Sequence, residues 1–520
     1  MRAQSSVQVL GVSAGMIVLL ARIVPDVRGK PIFEDESLAG LVSAHGLLDV
    51  LGTVRDRGGA PLHFLLAALA LKVDPSATAL RLVSVVFAVA TVPLCYDIGR
   101  RLFGATAGVA SAVFAGSSQM LGVYGSFGRM YALLAFVAAL AVDLFIRAVQ
   151  MRTRSAVLAA TAGAWLLPAT HPFGVVLLAA EAVVAILVWR PRSIRAAAVP
   201  LGLAGCALVP FAFLDLRLAD RFSAGASGGQ SVVAPHRAAA VLGRGLGGFS
   251  GGRGPIFVLF AALALAGGIA LWRRGERWFV ALAALALVGL PLLLVVARSS
   301  QTFSDHFSSR QLIFALPLWV ALVGSGFAVA VEPLGPVVQV PLLASVVGLA
   351  LVSPSAVPDP RSMQSGTSAR LTAPATWLRG EIPGDAVLFP SSPVFLAALS
   401  SARHARALPR EQPVLVLRAL RRATFPVPSV VVAVPLDGVT VERRAALRPG
   451  LRVRTFPSWL LLEGRGPYRD ERQVLDRIDL ALAAARSAIS EGSPQIDGYL
   501  RQSRDSVCGA LRSLGGQCRP

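Results

Sequence analysis

The chain has 520 residues, of which 54% are hydrophobic and only 15% charged, and its mean hydropathy is +0.64. That balance excludes an ordinary soluble globular protein and a disordered one, and leaves an integral membrane protein. The formal net charge of +21 comes with no zinc-finger spacing, RNA-binding aromatic signature or lysine-rich tail. Nucleic acid is therefore the weakest candidate partner, and basic clusters beside apolar runs have a simpler role in membrane orientation.

In chain order, a first apolar run at about 7–24 lacks a small-residue cleavage site and is expected to remain as an anchor. The stretch "IFEDESLAGLV", Ile32 to Val42, follows. Leu38, Leu41, Val42, Leu48 and Leu51 recur there at helical spacing, which predicts a helix along the outer membrane surface with Asp35 and Glu36 at its start. Carboxylates suit a helix N-terminus, so a capped interfacial helix explains them without any chemistry. The run "PLHFLLAALALKV", Pro61 to Val73, is too short to cross a bilayer and is read as a half-embedded helix.

Further spans are predicted at about 80–99, 105–124, 130–149, 156–169, 173–189, 196–214, 255–272, 278–297, 311–331 and 337–353, about eleven transmembrane helices in all. Arg100 and Arg101, then Arg147, Arg152 and Arg154, then Arg190, Arg192 and Arg195, then Arg273, Arg274 and Arg277 fall at every second junction, which marks those junctions as cytoplasmic. The opposite, extracytoplasmic side then receives Asp35, Glu36, Arg129, Thr170, His171, the 215–254 loop, Asp305, His306 and Arg310. Within that loop, "SAGASGGQ" and "GRGLGGFSGGRG" read by composition as a flexible linker, or else as a loop that closes over substrate. Their glycines do not follow a strand, which argues against a nucleotide cradle.

After Pro354 the pattern changes. "ATWLRGEIPGDAVLFPSS" predicts a helix, a turn and a short strand; "SVVVAVP" and "SWLLLEG" predict further strands, and 471–500 one or two terminal helices. The expected organisation is a membrane domain over 1–353 and an extracytoplasmic α/β domain over 354–520. Cys95 and Cys206 read as packed thiols, whereas Cys508 and Cys518 can pair if the tail faces an oxidising compartment.

Several stretches carry a resemblance. Asp35 and Glu36 form an Asp-Glu pair early in the first external loop, followed in order by "GGAPLHFLLAALAL", "LRLVSVVFAVATVPLCYDIGRRLFG", "GRMYALLAF", "THPFGVVLLA" and "SSRQLIFALPLW". In this order and at these distances they resemble the GT-C superfamily of membrane glycosyltransferases, nearest the family 39 branch with protein O-mannosyltransferases and aminoarabinose transferases. Departures exist: Gly59 stands where the branch has His before Pro-Pro, His63 where it has Tyr, and Phe127 where a Glu often precedes the Arg-Met-Tyr triplet. The resemblance implies a GT-C fold, an external active site, an inverting displacement and a polyprenyl phosphate leaving group.

Transfer of a sugar from a lipid phosphate needs a base for the acceptor hydroxyl and cations for the departing phosphate, but no strong acid. The resemblance assigns the base to Asp35, with Glu36 orienting it, orienting the acceptor or holding a metal. Arg129 and Arg310 are the candidate phosphate-binding residues, because a guanidinium fork can take two phosphate oxygens at headgroup depth. His63, Tyr131, His171 and His306 are the candidate substrate contacts. Against each stands a plain reading: a snorkelling Arg, a span anchor, a satisfied turn histidine. No cofactor is certain; Asp305, His306, Glu36 and His63 are available to a divalent ion but fit no metal motif, so metal dependence stays open. The expected partners are a polyprenyl-phosphate sugar donor, membrane lipids and an unidentified hydroxyl acceptor, in the inner or plasma membrane. The rival reading is a secondary transporter or lipid flippase using Glu181, an acid in mid-span, although no inverted repeat accompanies it.

Overall fold

The computed structural model describes residues 2–30, 34–43, 47–74, 76–189, 205, 208–214, 235–292, 309–357, 359, 373–374, 376–378, 380–389, 406–408, 413–436, 441, 450–457, 459–489 and 494–519. The chain divides into two compact units, Met1–Lys30 with Ala39–Asp359, and Pro31–Leu38 with Pro360–Pro520.

The first unit is helical. In chain order it contains α1 (Arg2–Gly29), the later part of α2 (Glu34–Ser43), α3 (Leu47–Arg57), α4 (Leu62–Val73), α5 (Ala77–Phe103), α6 (Ala105–Ser117), α7 (Gln119–Gly125), α8 (Tyr131–Met151), α9 (Arg154–Thr170) and α10 (Gly174–Val188). After residues outside the description come α11 (Pro235–Phe249), α12 (Pro255–Arg273) and α13 (Arg277–Ala284), which continues through a π-helical turn at Leu285–Gly289. A 3-10 turn (Ser309–Ala315) then leads into α14 (Leu316–Val331), and α15 (Pro336–Val352) closes the unit. Among the described residues, five segments are long and apolar enough to cross a membrane: Gln8–Arg28, Ala77–Phe103, Tyr131–Met151, Pro255–Arg273 and Ser309–Val331. The predicted span at 196–214 lies mostly outside the described residues.

Local chemistry sets the boundaries. Ser76 caps α5 by accepting from the Ala79 amide at 3.1 Å, and Gly104, at φ +102°, ends it. Gly58 and Gly59 both have positive φ and turn the chain from α3 into α4, a conformation that disfavours the His of the resembled branch at position 59. The predicted span at 105–124 is broken at Ser118. Its backbone leaves the helical region, its hydroxyl donates to the Gly248 carbonyl at 3.2 Å, and the Gln119 amide bonds Gly251 and Ser353 carbonyls and the Ala356 amide.

Those bonds also correct the linker reading of the glycine-rich loop. Its second half forms the end of α11 and a buried turn, closed by the Trp319 indole donating to Ser250 Oγ at 3.1 Å. Ser223 to Gln230 lie outside the described residues. Elsewhere, α12 and α14 meet backbone to backbone. A Cβ at Gly326 would fall 1.8 Å from the Leu263 carbonyl oxygen, and one at Gly267 would fall 2.0 Å from that of Leu322, the close approach that small residues permit between membrane helices.

Far along α5 from its cap, an ion cluster joins α5 to α8. Asp97 accepts from Arg101 at 2.7 Å and from Arg147 at 2.9 Å. Asp143, almost wholly buried, accepts from Arg147 at 2.7 Å and faces Arg101 at 3.3 Å. The sequence reads these arginines only as orientation signals; they also hold two helices together.

The second unit begins with Asp35 and Glu36 in the first turn of α2, Glu36 buried and Asp35 half-buried. Its sheet has the order β2-β1-β3-β5-β4, formed by β1 (Val387–Phe389), β2 (Arg406–Ala407), β3 (Val427–Pro435), β4 (Leu451–Phe456) and β5 (Trp459–Tyr468). β1 runs parallel to β2 and β3, whereas β5 is antiparallel to both β3 and β4. Between β2 and β3 lies α16 (Pro413–Leu420); α17 (Glu471–Ala488) and α18 (Pro494–Ser513) follow β5. Val430, Val432, Leu460 and Leu462 pack with Val474, Ile478 and Val507 in one apolar core, the alternation expected of a sheet with a helix-covered face. Cys508 and Cys518 form a disulfide.

Candidate functional site

The candidate site is built where α7 gives way to α8. After Gly125 the chain makes a tight turn: the Arg129 amide donates to the Phe127 carbonyl at 2.6 Å, an i to i+2 closure. The Ser84 hydroxyl, on α5, reaches that same carbonyl at 2.7 Å and the Arg129 carbonyl at 3.2 Å. Arg129 thereby stands just ahead of α8, whose N-terminal amides add partial positive charge to the guanidinium's own.

Tyr131 opens α8 and lies among Tyr124 (4.8 Å between ring centres), Phe127 (6.4 Å) and His171 (5.9 Å). Arg310, from the 3-10 turn ahead of α14, sets its guanidinium 5.6 Å from the centre of the Tyr131 ring, within reach of a cation–π attraction. Phe127, which replaces the acid of the resembled branch, is thus a wall of an aromatic cluster.

His171 caps the end of α9 and precedes the turn into α10. That turn is tight enough that a Cβ at Gly174 would fall 2.5 Å from the Leu167 carbonyl oxygen. The Phe173 amide donates to His171 Nδ1 at 3.0 Å. With Nδ1 accepting, the neutral ring carries its proton on Nε2 and offers it as a donor. Burial, and then the charges of Arg129 and Arg310, push the His171 pKa down to about 3. His63, near the start of α4, is equally enclosed, and neither of its ring nitrogens makes a well-formed hydrogen bond. Burial first and Arg129 second lower its pKa to about 3, against a smaller opposing effect from the Gly128 backbone. Both imidazoles are therefore neutral at pH 7. The ensemble pairs two half-buried guanidiniums with two uncharged imidazoles and an aromatic wall, which suits an anionic group carrying an apolar or polyol substituent.

The structure brings together five of the predicted residues: His63, Arg129, Tyr131, His171 and Arg310. Asp35 and Glu36 are described with the second unit. Asp305 and His306 lie outside the described residues. Glu181 is buried in α10, and its Oε1 makes no hydrogen bond. Among the described residues, the metal-ligating groups that cluster tightly are Asp479, Cys508 and Cys518, and those two sulfurs are already bonded to each other. Sequence reasoning missed the work of Arg81 and Ser84, both almost fully buried on α5. The signal available was the Arg-Leu-x-Ser run at the head of "LRLVSVVFAVATVPLCYDIGRRLFG", which carried part of the resemblance but no role for its two polar residues.

Comparison with known proteins bears on this arrangement. Residues 58–214 match the family model for dolichyl-phosphate-mannose-protein mannosyltransferase, a segment containing His63, Arg129, Tyr131 and His171. No curated protein matches the chain. Among solved structures, ArnT from Cupriavidus metallidurans in the apo state is similar with a TM-score of 0.57 and 14% identity, covering 89% of this chain and 98% of ArnT. The same protein bound to undecaprenyl phosphate gives a TM-score of 0.58 at 14% identity, over 88% of this chain and 97% of ArnT. At that identity the likeness shows the fold: the chain is a helical, membrane-type protein built as ArnT is, with the GT-C fold its sequence motifs resemble.

Proposed function

We propose that this GT-C-fold chain is an inverting glycosyltransferase that moves a sugar from a polyprenyl-phosphate donor to a hydroxyl acceptor on the extracytoplasmic face of the cell membrane. The observation that carries the reading is the convergence of Arg129 and Arg310 on a wall formed by Tyr131, His63 and His171. The mannosyltransferase segment over 58–214 and the ArnT-like fold, seen with undecaprenyl phosphate in ArnT itself, support it.

In this reading Arg129 and Arg310 bind the donor phosphate and gain strength as its bond to the anomeric carbon breaks and charge collects on its oxygens. His171, through Nε2–H, and His63 contact the phosphate or sugar without adding charge. Asp35, assigned by the Asp-Glu motif, takes the proton of the acceptor hydroxyl as that oxygen attacks the opposite face of the sugar, inverting the configuration. Glu36 orients Asp35 or the acceptor. The 354–520 domain lies outside the cell in this reading, on the acceptor side.

The test is transfer of labelled sugar from a polyprenyl-phosphate donor by the purified full-length protein, beside Asp35→Asn and Arg129→Ala. Transfer in the parent and its loss in both variants is the expected outcome. Equal transfer by Asp35→Asn removes the base assignment. No transfer by any of them, with movement of a lipid or solute that depends on Glu181, returns the transporter reading.

A further inference from the structure

Two residues of α5 bond backbone carbonyls in two other segments of the first unit. Arg81, almost fully buried, donates through Nη1 to the carbonyls of Val27 and Lys30, each at 2.9 Å. These lie at the C-terminal end of α1, where carbonyls lack helical partners and a cation is favoured. Lys30 is five positions ahead of Asp35. One helical turn onward, on the same face of α5, Ser84 bonds the Phe127 and Arg129 carbonyls at 2.7 and 3.2 Å.

We infer that Arg81 and Ser84 are positioning residues: one turn of α5 fixes both the exit of α1 and the turn that presents Arg129. This rests on the proposed role of Arg129 as a phosphate ligand. The physical case is one of rigidity. The Phe127 carbonyl receives two donors, the Arg129 amide and the Ser84 hydroxyl, so both its lone pairs are used. Removing the hydroxyl takes away the contacts that tie the Phe127 and Arg129 carbonyls to α5. A guanidinium displaced by even an ångström loses much of a bidentate phosphate contact. At the other contact, Arg81 sets a single nitrogen, Nη1, between two carbonyls at the end of α1.

The experiment uses full-length protein in detergent with undecaprenyl phosphate as the probe. Ser84→Ala is expected to weaken binding about tenfold, equivalent to about 1.4 kcal/mol, while Ser84→Thr, which keeps the hydroxyl, stays within about twofold. In the Arg129→Ala background the Ser84→Ala change is expected to add nothing, because the group it positions is gone. Arg81→Met, which removes both donors, is expected to speed amide exchange at the C-terminal end of α1, and unchanged exchange there overturns the part of the inference that concerns Arg81. Hydrogen exchange gives a readout independent of any ligand. In Ser84→Ala the Arg129 amide should exchange faster while α12 amides do not. Unchanged exchange at Arg129, or a binding loss that is additive with Arg129→Ala, overturns the inference. If the parent protein binds no undecaprenyl phosphate but the Arg129 amide loses protection in Ser84→Ala, the donor assignment fails and the positioning role stands.

Discussion

The two ends of α5 handle charge in opposite ways. At its last turns Asp97 and, from α8, Asp143 lie within salt-bridge distance of Arg100, Arg101 and Arg147, so opposite charges are satisfied within the cluster. At its first turns, α5 contributes Arg81 and Ser84, which donate to backbone carbonyls of other segments. Near them stand Arg129 and Arg310 with two imidazoles held neutral first by burial and then by Arg129, with Arg310 adding to the effect on His171. A closed ion cluster joins helices and has no reason to meet a ligand. Two guanidiniums beside uncharged imidazoles and aromatic rings instead offer donors to an anionic ligand.

The largest expected effect breaks the comparison at the site end. Arg129→Ala should lower the transfer kcat/KM about 100- to 1,000-fold, as loss of a transition-state charge partner does, with the thermal unfolding midpoint unchanged. A loss of stability with transfer kept would place Arg129 in the structural class. The converse change is Asp143→Ala. It leaves Arg147 and Arg101 short of a buried partner and should cost about 2–3 kcal/mol of stability, at or below the lower end of the range for broken buried pairs because Arg147 reaches solvent. Transfer by the folded fraction should stay within about twofold of the parent.

A third contrast is in pH. An unfolded imidazole binds a proton below about 6.5, whereas folded His63 and His171 do so only near 3. Between those values the unfolded state holds more protons, so stability falls as pH drops from 6.5 toward 3 and the full contribution is present above 6.5. Thermal unfolding across that window should show the slope, and His63→Gln should reduce it. The smallest effect is expected for Arg310→Lys, which keeps the charge and loses the guanidinium that lies 5.6 Å from the centre of the Tyr131 ring. About 0.5–1 kcal/mol of probe affinity should go, measured by titration with undecaprenyl phosphate.

Much of this was legible in the sequence, and particular residues show why the rest was not. Arg129, Tyr131 and His171 were reachable because they sit in motifs that resemble those of a known family in order and spacing. Their spatial meeting was not, since His63, Arg129 and Arg310 come from three distant segments. Ser84 and Arg81 act on backbone carbonyls, and a side chain bonded to backbone leaves no complementary residue to find. Pairing of Asp97 with Arg101 and of Asp143 with Arg147 had a visible four-residue spacing, masked by the orientation role given to the arginines. In the second unit, β3 and β5 announce themselves as apolar runs. β4, "LRVRTF", hides because its alternate positions are arginines, and β2 has only two residues. The break at Ser118 escaped a hydropathy reading because the hydrogen bonds that cause it come from residues more than a hundred positions away.

The most direct test of the account is the binding of undecaprenyl phosphate to the purified full-length protein at pH 7.5, in the parent and in Arg129→Ala with Arg310→Ala. Saturable binding by the parent that the double variant loses, while keeping its unfolding midpoint, is the predicted result. Equal binding by both proteins would contradict it, because the two guanidiniums would then not be what holds the phosphate.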